Sequence, residues 1–325
     1  MVSVAVTLRS VTEILDADTE RVDPVSPPLV SVIIATRDRP EMLREAIAAV
    51  NDQTYAGPIE CLVVFDQTEP DRTIESSAER RTVRMMVNDA RSPGLAGARN
   101  TGILAAVGSL IAFCDDDDVW LPTKIERQVE SLGEALTSVT GIIIDFGGER
   151  TERIPTQQGF TLENLVRHRL MEAHPSTVMM RRDALLERIG LVDEEIPGSF
   201  AEDFDYIIRA TQAGPVAVVE EALVVVRWGQ SMFSRDWATI IAAIDYLIAK
   251  HRVFRDDPKA MARLYGQRAF AQAALKNTRA SLDDCWRAFR SSPVEKRTFV
   301  TIPVALRLVS AERLLDLGHR RGRGI

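Results

Sequence analysis

The sequence predicts an α/β fold: a Rossmann-like, mostly parallel sheet flanked by helices, followed by an all-helical C-terminal region. Three observations predict it. Apolar runs of strand length recur at Leu29–Ala35, Glu60–Phe65 and Leu110–Cys114, continuous in the way of strands buried on both faces. Amphipathic stretches separate them, the βαβ rhythm of a parallel sheet. After residue 236 the strand signals stop and only helical periodicity remains.

Residues 1–28 read as an N-terminal extension, with Val2, Val4 and Val6 alternating and Pro24, Pro27 and Pro28 at its end. The first strand then runs into Thr36-Arg37-Asp38-Arg39-Pro40, a turn with Pro40 suited to a first helical turn. Leu43, Ala46, Ile47 and Val50 fall on one helical face. The second strand ends in Asp66-Gln67-Thr68, and a polar helix followed by a strand at residues 82–87 is expected next. Gly94 to Gly102 is a small-residue turn opening a helix to about Val107. It suits tight helix-on-sheet packing, or an anion at the helix N-terminus. A helix from near Pro122, a strand at 141–146, a polar insertion and a helix at 162–170 follow. His174 to Met180 is a loop into a strand, and two short strands are expected at 216–220 and 222–227.

The organising stretch is Leu110 to Trp120, LIAFCDDDDVW. It places Asp115, Asp116, Asp117 and Asp118 at the C-terminal end of a buried strand, where ligands bind in open α/β sheets. Adjacent carboxylates repel, so a cation, most simply a hard divalent ion shared with a ligand's phosphates, is expected there. A second carboxylate group is Glu202, Asp203 and Asp205. Ser199 to Glu202 has the spacing of a capping box, which gives Glu202 a structural duty. Asp203, in the same first turn, is free to act as a general base.

Five blocks in fixed order, VSVIIATRDR (30–39), ECLVVFDQT (60–68), GLAGARNTG (94–102), FCDDDDVW (113–120) and AEDFDYI (201–207), resemble family 2 glycosyltransferases of the GT-A fold over residues 29–236. The resemblance implies an inverting transfer of a sugar from a UDP-, dTDP- or GDP-linked donor to a hydroxyl acceptor, a glycan or glycolipid, in cell-envelope, exopolysaccharide or glycoconjugate synthesis. It implies Mg²⁺ or Mn²⁺ as cofactor. It also implies that Ala35, Thr36 and Arg37 cradle the base, Asp66 contacts it, Arg99 is the donor-site arginine, and Asp115 and Asp116 face the ribose. Asp117 is then the metal ligand and Asp203 the catalytic base, while His174, Glu202, Trp228 and Gln230 are contacts to acceptor or diphosphate. The Phe65-Asp66-Gln67-Thr68 block departs from the Asp-Asp-Gly-Ser common in the family, which leaves the base open. With no histidine between 175 and 250, a third protein ligand to the metal is not expected.

Two rivals stand beside this reading. Asp115-x-Asp117-x-Val119 also fits the nucleophile motif of haloacid-dehalogenase-like phosphatases, although three strand-like runs precede it. A catalytically inactive sugar-nucleotide-binding scaffold is the other. Bulk properties bound the rest. The 325 residues carry 46% hydrophobic and 27% charged side chains with a net charge of −7, which argues against nucleic-acid binding. Cys61, Cys114 and Cys285 are few and odd in number, which suits a reducing, cytoplasmic setting. Neither a signal peptide nor a membrane span is evident. Residues 237–325 form the helical region. Its end carries Arg320, Arg321 and Arg323, which suggests either packing on the preceding helices or peripheral contact with the inner face of an anionic membrane.

Overall fold

The computed structural model describes residues 26–227 and 236–319. Most of the N-terminal extension, Trp228, Gln230 and the basic end at Arg320, Arg321 and Arg323 lie outside the described residues.

A ten-stranded sheet runs in the order β3-β4-β2-β1-β5-β9-β7-β10-β6, with β8 hairpinned onto β7. Strands β1 (Val30–Thr36), β2 (Ile59–Phe65), β4 (Arg81–Val87) and β5 (Leu110–Phe113) are parallel. The second half is mixed. Strand β9 (Met179–Arg181) lies antiparallel between β5 and β7 (Thr137–Phe146), and β10 (Val216–Arg227) runs parallel to β7. Short β6 (Val119–Trp120) closes the far edge against β10.

Alternation along β1 explains the continuous apolar run. Ile33 packs into one core with Leu62, Val64, Ile111 and Phe113, while Val30, Val32 and Ile34 face another with Cys61, Val63 and Cys114. Helices α1 (Pro40–Asn51) and α3 (Lys124–Leu132) cover the second face. Helices α2 (Leu95–Ala105), α4 (Leu162–His168) and α6 (Glu202–Ala213) cover the first, and α5 (Arg182–Ala184) is a single turn following β9. Cys61, Cys114 and Cys285 are free and buried.

Three expectations are corrected. No polar helix joins β2 to β4. Asp71 caps a single 3₁₀ turn (Arg72–Ile74), and β3 (Ser76–Ala78) then pairs back on β4. The polar insertion after β7 is a hairpin strand, β8 (Glu149–Arg153). The two short strands at the end are one, β10, whose register against β7 shifts around residues 218–224.

The helical region is α7 (Trp237–Lys250), α8 (Arg252–Arg255), α9 (Pro258–Ala274), α10 (Thr278–Ser291), α11 (Lys296–Ala305) and α12 (Ala311–His319). Ile240, Ile244, Leu247, Phe254 and Leu264 share one apolar core with Phe204, Ile207 and Ile208 of α6. The start of the helical region thus packs on the back of the helix that carries Asp203.

Candidate active site

The parallel strands β1, β2 and β5 end side by side, which brings Thr36, Asp66 and the aspartate run to one rim. From β1, Thr36 Oγ1 donates to Asp116 Oδ2 at 2.7 Å. Just beyond, Arg39 Nη1 donates to Asp117 Oδ2 at 2.7 Å and to Asp116 Oδ1 at 3.2 Å. The expected metal ligand is therefore held by an arginine of the same cleft. Ala35 is half-buried beside Thr36, and Arg37 is exposed at the mouth, 3.9 Å from Asp38.

Asp66 is buried and accepts from Asn88 Nδ2 (2.8 Å), Gln67 Nε2 (3.0 Å) and the Gly94 amide (3.0 Å). Burial alone would raise its pKa, but these donors outweigh it and hold the carboxyl below its ordinary value. The anion at the N-terminus of α2 is thus Asp66 itself. The packing reading of the glycine block holds as well. A Cβ on Gly97 would sit 1.9 Å from the Ser92 carbonyl oxygen, and one on Gly102 would sit 2.5 Å from Ile33 Cγ2.

Arg99 is the hub. Buried on α2, it donates through Nη2 to Asp115 Oδ1 at 2.5 Å and through Nη1 to Glu202. Burial works against its charge, but the two carboxylates outweigh it and raise its pKa. One guanidinium cannot neutralise both partners. Asp115, which burial alone would raise, is kept below its ordinary value by Arg99 and His174. Glu202 is pushed up to about 7 by burial first, then by Asp203 and Asp115.

The expected capping box does not form. Ala201, in the left-handed region (φ 65°), is the N-cap residue of α6, and no side chain caps the helix. Ser199 also has a positive φ, 52°. Glu202 turns inward to Arg99 because a buried guanidinium competes better for a carboxylate than a single backbone amide does. Two non-glycine residues in sparsely populated backbone beside Asp203 mark this turn as held by its surroundings. Asp203 lines the same small cavity as Arg99, Phe113 and Tyr206, and its Oδ1 stands 3.6 Å from Arg169 Nη2.

His174 supplies what sequence reasoning did not expect. Its Nδ1 lies 3.3 Å from Asp118 Oδ2 and its Nε2 lies 3.9 Å from Asp115 Oδ2. Ser176 Oγ donates to Asp118 Oδ2 at 2.5 Å and accepts from the Asp115 amide at 2.9 Å. Burial lowers the imidazole's pKa, but Asp118 and Asp115 outweigh it and the net shift is upward. Asp118 is raised to about 7 by burial, then by Asp115 and Asp117. One ligand atom each from Asp115, Asp118 and His174 come within 4.8 Å of one another. Carboxylate oxygens with one imidazole nitrogen suit Mn²⁺, and a site so rich in acid is short of positive charge. The residues therefore fit a divalent ion. Arg39, Ser176 and Arg169 were missed from sequence, because only the fold brings them to the rim, and Asp118 had no role of its own within the run.

Residues 31–189 match the family model described as glycosyl transferase family 2. Over those 159 of its 325 residues the chain resembles that family. The glycosyltransferase EpsJ of Bacillus subtilis is 30% identical over 62% of this chain and 61% of its own length. An Escherichia coli protein, the UDP-Glc:alpha-D-GlcNAc-diphosphoundecaprenol beta-1,3-glucosyltransferase WfgD, is 35% identical over 32% of this chain and 41% of its own. The chain thus spans less than two thirds of these relatives. Among solved structures, S. aureus TarS 1–349 in complex with UDP-GlcNAc superposes with a TM-score of 0.58 at 15% identity, over 90% of this chain and 92% of that one. The mannosyltransferase PcManGT of Pyrobaculum calidifontis, in complex with GDP-Man and Mn²⁺, gives 0.52 at 18% identity, over 90% and 84%. These likenesses establish the GT-A fold, and the phosphatase reading falls with them.

Proposed function

We propose that this chain is an inverting glycosyltransferase that moves a sugar from a nucleoside-diphosphate sugar to a hydroxyl of a glycan or glycolipid acceptor in envelope or exopolysaccharide synthesis. The observation that carries the proposal is the Arg99 bridge. It joins the carboxylate run at the end of β5 to the turn that bears Asp203, so donor and base carboxylates line one cleft. Thr36, Arg37 and Asp66 stand at the strand ends where the base and ribose of a nucleotide would lie. Asp203 accepts the proton of the acceptor hydroxyl as its oxygen attacks the anomeric carbon. The sugar–phosphate bond breaks on the opposite face, and the nucleoside diphosphate departs with the electron pair.

Mg²⁺ or Mn²⁺ is the proposed cofactor, held by Asp115, Asp118 and His174, with Asp117 as the alternative ligand. Such an ion would neutralise charge on the departing diphosphate. Trp228 and Gln230 stay proposed contacts on the strength of the resemblance. The names of WfgD and of the TarS and PcManGT complexes support a UDP- or GDP-linked donor and an envelope acceptor.

The test is a thermal-shift panel of UDP, dTDP and GDP with and without Mn²⁺, followed by release of nucleoside diphosphate from the matching sugar donors. A ligand that binds only the native state raises the melting temperature. No shift with any of the three would sink the proposal. Binding without turnover on any donor and acceptor tested would favour the inactive scaffold.

A further inference from the structure

Helix α11 packs Val304 and Ala305 inward at its end, but its first half is inside out. It buries Thr298 and Thr301, whose hydroxyls find no partner among the described residues, and turns Phe299 and Val300 outward. In water alone the reverse arrangement would be favoured, because apolar burial stabilises and an unpaired buried hydroxyl costs. Neighbouring α10 repeats the pattern. Leu282, Trp286 and Phe289 are exposed at i, i+4 and i+7, and the rings of Trp286 and Phe289 stack at 6.0 Å. Trp286 is 60% exposed and Phe299 58%. Ten of the fifteen exposed large hydrophobics among the described residues fall between Leu275 and Val309.

Charge accompanies them. Between Lys276 and Arg313, seven exposed basic residues (Lys276, Arg279, Arg287, Arg290, Lys296, Arg307, Arg313) face two exposed acidic ones, Asp283 and Glu312. Residues 276–325 carry eleven basic and five acidic side chains in a chain whose net charge is −7.

We propose that the outer face of α10 and α11 docks on an anionic lipid surface. Trp and Phe beside Leu and Val, ringed by Arg and Lys, match an interface whose interior is apolar and whose headgroups are negative. A second copy seated face to face is disfavoured, since a two-fold contact would bring the same basic residues together. Residues 1–25, which hold five acidic and two basic side chains, are the rival occupant from within the chain. The surface lies in α10 and α11, so the proposal does not depend on the basic end at residues 320–325. Nor does it depend on the sugar-transfer reading, because its readout is binding.

The test is flotation of the full chain with vesicles of equal parts phosphatidylcholine and phosphatidylglycerol, against phosphatidylcholine alone, at low and high salt. Binding should need the anionic lipid and weaken with salt. The double variant Trp286→Ser/Phe299→Ser should lower the bound fraction at least about tenfold, the scale of losing two large apolar insertions. Its melting temperature should stay unchanged, and Leu104→Ser, an exposed apolar position on α2, should bind as the parent does. Absence of binding at low salt, or binding indifferent to the double variant, overturns the proposal. So does flotation that appears only once residues 1–25 are deleted, or a concentration-dependent oligomer that the double variant dissolves; either would identify a protein occupant.

Discussion

Asp203 and Glu202 sit side by side but do different work, and their variants should separate. Asp203→Asn should leave nucleotide binding intact and lower turnover by about 10²-fold or more, the usual scale for a lost general base. Nucleotide titration and initial rates on one preparation check this. Glu202→Gln should also lower turnover, because it removes one of the two carboxylates that hold Arg99. A capping role would have cost only stability, and Ala201 shows that no such cap exists. Glu202 also carries a pH dependence. Its folded pKa, about 7, lies above that of an ordinary glutamate, so the folded state binds more protons than the unfolded state across that interval. In the metal-free protein its contribution should therefore be complete below about pH 4.5, the ordinary glutamate range, and be lost as pH rises to about 7. Glu202→Gln should flatten that part of the stability profile, measured by urea unfolding with a chelator present. The metal assignment is decided one residue at a time. If Asp115, Asp118 and His174 hold the ion, His174→Ala should abolish the Mn²⁺-dependent shift in nucleotide binding, while Asp117→Ala, which leaves Arg39 on Asp116 alone, should spare it. The opposite ranking would return the ion to Asp117. The carboxylates were legible in the sequence because four in a row at a strand end have few other uses. Their partners were not, since Arg39 and His174 reach them across 78 and 59 residues of chain.

At the scale of elements, hydrophobic period carried most of the reading. Strands β1, β2 and β5 are apolar on both faces because helices cover both, and such runs announce themselves. Elements whose form depends on a partner did not. Strand β3 exists through pairing with β4, β8 through its hairpin on β7, and neither has a buried residue to mark it. Helix α6 shows what local rules leave out. Asp205 is fully buried behind Asp203, within 2.7 Å of His251 Nε2, 2.6 Å of Lys250 Nζ and 2.8 Å of Arg209 Nη2. Burial would raise its pKa, but the His251 hydrogen bond, Arg209 and Lys250 outweigh it and lower the value to about 2. Its stabilising contribution is thus complete above about pH 4, the ordinary aspartate range, and is lost as pH falls toward 2. Asp205→Asn should cost about 1–3 kcal/mol at neutral pH, since it removes the buried counter-charge of Arg209 and the acceptor of His251, while exposed Lys250 keeps Asp193. Chemical denaturation measures it. A loss under about 1 kcal/mol would mean that the pair is solvated and does not clamp α6.

For the whole molecule, the change of composition at residue 236 and the packing of the core give different pictures. Residues 29–236 hold the sheet and both carboxylate groups, which is why the resemblance covers them. The apolar face of α6 is nevertheless completed by Ile240, Ile244, Leu247 and Phe254, and Phe204 and Phe254 lie with ring centroids 5.8 Å apart. Buried Asp205 takes two of its three side-chain partners from Lys250 and His251, at the junction of α7 and α8. A chain ending at residue 236 would expose that face to water and strand Asp205 with Arg209 alone. Uncovering three or four large side chains costs about 1.5–3 kcal/mol each, which together approaches the entire stability of an ordinary domain. The truncated chain should therefore be recovered insoluble or without a cooperative thermal transition. A chain ending at residue 275, which keeps α7, α8 and α9, should fold and bind nucleotide, although it lacks the outward-facing apolar residues of α10 and α11. Solubility, melting and nucleotide titration of the two truncations decide the matter. A cooperative, nucleotide-binding fragment 26–236 would show that the helical region is an appendage, and that α6 is held in place by the sheet alone.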